Sequence, residues 1–253
     1  MQLALIPPNS SHASILQGTI NLMLPWQLVD LPLDFVQQAL KTYTILDNGA
    51  AEGQSIGLNQ LHTLVRDWPE IDELVLPDKL TDCATTRDFV LQVGNLEPLL
   101  ELKEQNGVKF MAVAQGMTLA EVMSCINLYT ELPYVDVIGL PRVMNILFGR
   151  QSRLRMCEAL ARNDTYPKPI HCLGSLYQYP SEARNLKWLP NVRSMDTSLP
   201  WVYGIQERYI TSILNKQIER PDNYFHYDLN KNQRYISDRN AGTLLRWAEA
   251  PAS

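Results

Sequence analysis

Residues 110–139, FMAVAQGMTLAEVMSCINLYTELPYVDVIG, read as one strand–helix–strand unit. Phe110 to Ala114 is a short apolar run, and Gln115-Gly116 closes it with turn-forming residues. Thr118 and Glu121 stand in the Thr-x-x-Glu spacing of a capping box, which opens a helical pattern over 119–132. A second β-type run, 135–139, follows and stops at Gly139. Two strands separated by a helix-length segment favour parallel pairing.

The alternation continues in both directions. Further β-type runs occupy 3–6, 20–24, 43–46, 73–76, 170–173 and 192–195, and most end in Pro, Gly, Asp or Asn. Helical patterns cover 33–41, 58–68, 150–162 and 181–189, the last with Ser181 as N-cap and a stop before Pro190. The stretch 86–105 holds one long helix or two, because Gly94 and Pro98 interrupt it. Residues 7–19 read as a loop, and 240–248 as a final helix. Eight strands alternating with helices in 253 residues predict an α/β fold, a single (β/α)₈ barrel over residues 1–253. A doubly wound open sheet is the runner-up, weakened by the absence of G-x-G-x-x-G or G-x-x-x-x-G-K-[ST].

Composition narrows the function classes. No basic region precedes an apolar leader, and no apolar run is long enough to span a bilayer, so a cytoplasmic protein with no membrane partner is expected. Cys83, Cys125, Cys157 and Cys172 lack any C-x-x-C spacing and read as reduced core thiols. Residues 1–139 carry 6 Lys/Arg and 17 Asp/Glu, whereas residues 140–253 carry 16 and 10. The second half is therefore net positive in a chain of net charge −5, which fits a polyanion contact there or merely solvated helix faces. Beyond Trp201 the chain mixes Tyr203, Tyr209, Tyr224, Phe225, Tyr227 and Tyr235 with Arg208, Arg220, Lys231, Arg234 and Arg239. This C-terminal aromatic and basic extension, 201–253, reads either as an end-cap packing on the barrel or as a surface that stacks bases and contacts phosphates.

In such barrels the residues just after each strand build the active site. Here they are Asp47-Asn48-Gly49, Asp78, Gln115-Gly116, Gly139 to Arg142, His171 with Gly174, and Asp196. Two carboxylates flanking a glycosidic bond suffice for displacement at an anomeric carbon. Each residue also has a plain structural role open to it: turn chemistry for Asp47 and Gln115, capping for Asp78 and Asp196, a satisfied interior histidine for His171. Their coincidence at strand ends favours chemistry.

The ordered pieces ILDNGAAEG, ELVLPD, AVAQG, IGLPR, HCLG and RSMDTSLP, spanning residues 45–200, resemble the tRNA-guanine transglycosylase superfamily. The small size resembles its viral branch, the DpdA-type enzymes that insert 7-deazaguanines into DNA. The resemblance implies Asp196 as nucleophile and Asp47 as general acid/base. It implies Asp78, Gln115 and Gly116 at the base, Gly139 and Leu140 beside the 7-substituent, and supporting substrate contacts from Asn48 and His171. Arg142, Arg150, Arg153, Arg208, Arg234 and Arg239 are expected to contact nucleic acid. Departures are visible: the family's Asp-Ser-Gly-Gly-Phe is Asp-Asn-Gly-Ala-Ala here, and its Gly-Gly-Leu-Ala-Val-Gly-Glu loop is Gly-Leu-Pro-Arg. No cysteine follows Asp196, so the family's zinc site is not expected, and neither is any other metal or cofactor.

The implied partners are DNA, or tRNA in the rival reading, and a free 7-deazaguanine base. The setting would be host cytoplasm if the source is viral. A homodimer is allowed and not required. Two other rivals stand: a hydrolase in which water resolves the intermediate, and a non-catalytic barrel that binds nucleic acid or a partner subunit.

Overall fold

Period-two alternation sorts each strand's side chains into two layers. Ala4, Leu22, Ile45, Val75, Met111 and Val137 fill the interior of a barrel. Their sequence neighbours, among them Leu3, Leu46, Leu74, Phe110 and Ile138, join the larger layer beneath the helices. The computed structural model describes residues 1–175, 179–211, 218 and 220–249. Eight parallel strands close in chain order: β1 (Gln2–Leu5), β2 (Ile20–Met23), β3 (Thr44–Leu46), β4 (Glu73–Val75), β5 (Lys109–Val113), β6 (Val137–Pro141), β7 (Ile170–Leu173) and β8 (Val192–Thr197). Closure comes from β8 pairing with β1, Ser194 opposite Gln2 through Thr197 opposite Leu5. An open sheet would leave those two strands as edges, so the expected (β/α)₈ architecture is the one present.

The helices are α1 (Gln27–Asp30), α2 (Leu33–Ala39), α3 (Leu58–Asp67), α4 (Cys83–Val93), α5 (Glu97–Asn106), α6 (Leu119–Glu131), α7 (Val143–Leu147), α8 (Ser152–Ala161), α9 (Tyr179–Leu186), α10 (Leu199–Ile205) and α11 (Lys231–Ala248). The Thr118 and Glu121 capping box is formed at the start of α6. Gly94 does divide the 86–105 stretch, giving α4 and α5. The 7–19 connection is not a bare loop but carries 3-10 turns over Asn9–Gln17. The last helix begins at Lys231, not near 240, with Asn230 and Gln233 forming its capping box. Its polar first half hides a stripe in which Ile236, Asn240, Leu244 and Ala248 are buried at four-residue spacing. This stripe packs chiefly on α10, so α11 serves as the outer helix after β8. The expected extension 201–253 is thus largely part of the barrel's own wall; its residues 212–217, 219 and 250–253 lie outside the described ones.

Arg153 corrects one expectation. It is fully buried, not available to a nucleic acid. Its Nε and Nη2 donate to both carboxylate oxygens of Glu182 at 2.9 and 2.8 Å. Its Nη1 donates to the carbonyls of Leu173 and Leu140 at 2.7 and 3.3 Å. The guanidinium therefore ties the ends of β6 and β7 to α9. Arg150, by contrast, is exposed, as are Arg208, Arg234 and Arg239. Among the described residues no helix is long and apolar enough to cross a membrane. All four cysteines are free thiols, although Cys83 and Cys125 bring their sulfurs to 3.4 Å.

Candidate active site

The inward parity that fills the barrel also delivers the polar residues. Positions 43, 45 and 47, through and just beyond β3, share one face, as do 111, 113 and 115 along β5 and just past its end, and 194 and 196 on β8. One step beyond the apolar layer, that face becomes Asp47, Gln115 and Asp196 at the carboxyl end of the strands. A pocket opens there, with about 840 Å³ of non-atom space counted out into open solvent. Asp47, Asn48, Asp78, Gln115, Arg142 and Asp196 all line it.

Asp196 is held from one side. Its Oδ1 accepts hydrogen bonds from the Gly174 backbone N–H at 2.8 Å and from His171 Nε2 at 3.0 Å. Among the described residues both hydrogen bonds to this carboxylate fall on Oδ1. Gly174 has φ of +64°, a backbone conformation that suits glycine and turns its N–H toward the carboxylate. The His171 ring is fixed in turn: Nδ1 lies 2.7 Å from Ser194 Oγ, and Arg193 Nε donates to that same oxygen at 3.1 Å. With Asp196 ionised, Nε2 must carry the ring proton, so Nδ1 accepts from the Ser194 hydroxyl. Arg193 sits at a register irregularity between β7 and β8 and is bidentate on the buried Glu73, at 2.6 and 2.9 Å. A polar column thus rises through the barrel from Glu73 to the pocket.

Asp47 differs in environment. Burial pushes its carboxyl up to about 8, and the nearby Glu52, Asp196 and Asp78 charges add to the effect. The Asn48 backbone N–H, 2.7 Å from Oδ1, opposes it only in part. Asp47 therefore carries a proton near neutral pH while Asp196 is clamped by donors suited to a carboxylate. Gly49, two residues on, has φ of +73° and no room for a side chain: a Cβ would lie 2.7 Å from the Gln54 carbonyl oxygen and 3.1 Å from the Trp26 ring.

Asp78 is clamped on both oxygens. Asn48 Nδ2 donates to Oδ1 at 2.7 Å, and Gln115 Nε2 donates to Oδ2. Gln115 Oε1 accepts from the Thr81 N–H at 3.0 Å, which sets the amide's orientation. Burial raises the Asp78 carboxyl above the usual range, and the two amide donors work against that rise. The result is a rigid acceptor edge facing the pocket.

Four expected residues do not line the pocket. His171 stands behind Asp196 and positions it rather than touching substrate. Leu140 points outward into the layer under the helices, because its parity is opposite to that of Gly139. Gly139 lies beneath the pocket, where a Cβ would meet Leu173 at 2.6 Å. Gly116 is a close-packing turn against Glu121. Along β6 the pocket wall instead begins at Pro141 and Arg142. Glu52, which the sequence did not single out, pairs across the rim at 2.9 Å with Arg220, one of the basic residues of the C-terminal extension. Glu52 lies within the ILDNGAAEG stretch, so its motif was visible; nothing in the extension marked Arg220 as the residue that reaches this pocket. Arg142 lines the pocket although the residue as a whole is exposed, and partial desolvation together with the neighbouring Arg220 lowers its proton affinity.

No protein-family model and no curated protein matches the chain. The chemistry must therefore be argued from the pocket itself. It offers a tethered carboxylate, a protonated carboxyl and a clamped acceptor edge, all at one mouth of a closed barrel.

Proposed function

We propose that the chain is a glycosyltransferase that replaces guanine in DNA with a 7-deazaguanine through a covalent Asp196 intermediate. The observation that best supports this is the pairing of unlike carboxyl groups in one pocket. Among the described residues Asp196 is oriented through Oδ1, and burial raises the Asp47 carboxyl to about 8. A carboxyl raised by burial beside one held by fixed hydrogen-bond donors suits a division into acid and nucleophile.

The steps balance without a redox partner. Asp196 attacks C1′ as the bond from C1′ to the base nitrogen breaks, and Asp47 gives its proton to the departing guanine. The incoming 7-deazaguanine returns a proton to Asp47 and attacks C1′ with its ring nitrogen, expelling Asp196. Two inversions retain the sugar configuration. Asp78, held by Asn48 and Gln115, accepts from the N–H groups on the purine's amide edge. The target base must leave its stack, at a cost of a few kcal/mol. The exposed Arg150, just before α8, and Arg234, in the first turn of α11, would contact phosphates.

The test is trapping. Guanine-containing DNA without an incoming base should give a complex that survives denaturing electrophoresis. Asp196→Asn should abolish it, because an amide is a poor nucleophile. A complex that persists in Asp196→Asn refutes the assigned nucleophile.

A further inference from the structure

The Asp47 pocket has a neighbour. A second, open cavity, with about 970 Å³ of non-atom space counted out into solvent, is lined by Trp26, Asp30, Gln54, Asp222, Phe225 and His226. Ala51, Glu52 and Arg220 line both cavities and form the wall between them. The wall is held by the ion pair of Arg220 with Glu52 Oε1, and the guanidinium lies over the Tyr224 and Phe225 rings at 5.4 and 5.3 Å. Glu52 Oε2 is buried and has no hydrogen-bond partner among the described residues. Trp26 and Phe225 meet edge to face, centroids 5.7 Å apart. The indole also rests against Gly49, so it is seated on the backbone that carries Asp47.

We infer that this second cavity receives the nucleobase adjacent to the exchanged one in single-stranded DNA, and that it favours a base carrying an exocyclic amine. The inference rests on the transglycosylase reading of the first pocket. A strand that places one nucleotide at Asp196 must place the next just across the shared wall. Trp26 and Phe225 offer aromatic surface, on which any base can stack. Asp30, Glu52 and Asp222 repel phosphate, so the backbone stays at the mouth and only the base enters. The same carboxylates accept hydrogen bonds from the amines of adenine, cytosine and guanine. Thymine has no such amine. A paired duplex cannot supply two adjacent unstacked bases, which selects a single strand.

The test uses oligodeoxynucleotides with one guanine and 2-aminopurine on its 5′ or its 3′ side. Binding to the wild-type protein should quench or shift the fluorescence at one flank only. Trp26→Leu should remove that change and weaken binding about tenfold, the scale of one lost base stack. Phe225→Leu is the second variant, and the melting temperature of each shows whether it is folded. At the responsive flank, adenine or cytosine should bind severalfold tighter than thymine, and Asp222→Asn should narrow the difference. Equal binding of all flanks, an unchanged signal in both folded variants, or binding of the matching RNA in place of DNA would overturn the inference. Wild-type quenching without any base exchange keeps the subsite and rejects the transglycosylase reading. Exchange without a signal at either flank does the reverse.

Discussion

Replacing Asp47 by Asn should stabilise the protein, and increasingly so as pH rises. In the folded chain the Asp47 carboxyl is raised from 3.8 to about 8, mainly by burial and then by Glu52, Asp196 and Asp78. Between those values the unfolded chain has released the proton and the folded chain has not. The unfolded state then binds fewer protons, so stability falls as pH climbs from about 4 to about 8 and levels off above. A shift of about four units corresponds to an upper limit of roughly 5 kcal/mol. Asn cannot ionise, so Asp47→Asn escapes the whole penalty. Thermal melts of both proteins from pH 4 to pH 9 should coincide at the acid end. They should diverge progressively toward the alkaline end, by at most about 10–20 °C at roughly 2–4 °C per kcal/mol for a chain of this size. The same variant should lose turnover while still binding DNA, since only the proton carrier is gone. Melts that stay parallel across the range would show that Asp47 ionises normally, and its role as the acid would fall with that.

Other consequences can be checked separately. Ser194→Ala removes the donor to His171 Nδ1 and allows the ring proton to move there, turning a lone pair toward Asp196; turnover should drop about tenfold with KM little changed, and an equal rise in KM would contradict a positioning role. Arg153→Ala strands Glu182 in the interior and should cost about 3–5 kcal/mol of stability, whereas Arg150→Ala should leave stability alone and reduce the salt slope of DNA binding by about one. A similar salt response in both would restore Arg153 as a DNA contact. Among the described residues no cluster of three His, Cys, Asp or Glu side chains could hold a metal. Elemental analysis of purified protein should find no stoichiometric zinc, and a tightly held zinc would reverse that expectation.

The barrel and the main carboxylates were legible because both follow from one parity. A period-two strand that buries Ile45 inward must also aim Asp47 inward, and the turn residues after each run mark where the mouth lies. The same rule, applied strictly, would have placed Leu140 outward, since it alternates with Gly139. Arg153 was misread because it and Arg150 look alike three residues apart; only the helix start at Ser152 decides which of them turns inward. The Glu52 and Arg220 pair joins residues far apart in sequence, and no local pattern encodes such a meeting. The early start of α11 was hidden because its first half spends most positions on solvent-facing polar residues.

The decisive measurement is base exchange itself. The wild-type chain, a labelled 7-deazaguanine and guanine-containing DNA are incubated together, with matched tRNA in a parallel reaction at the same salt concentration. The polymer is then digested to nucleosides. Label should appear as a deoxynucleoside, with one guanine released for each label incorporated, and Asp196→Asn should incorporate none. Label confined to the tRNA would contradict DNA as the substrate. Guanine release without incorporation, or no reaction with either polymer, would contradict transglycosylation.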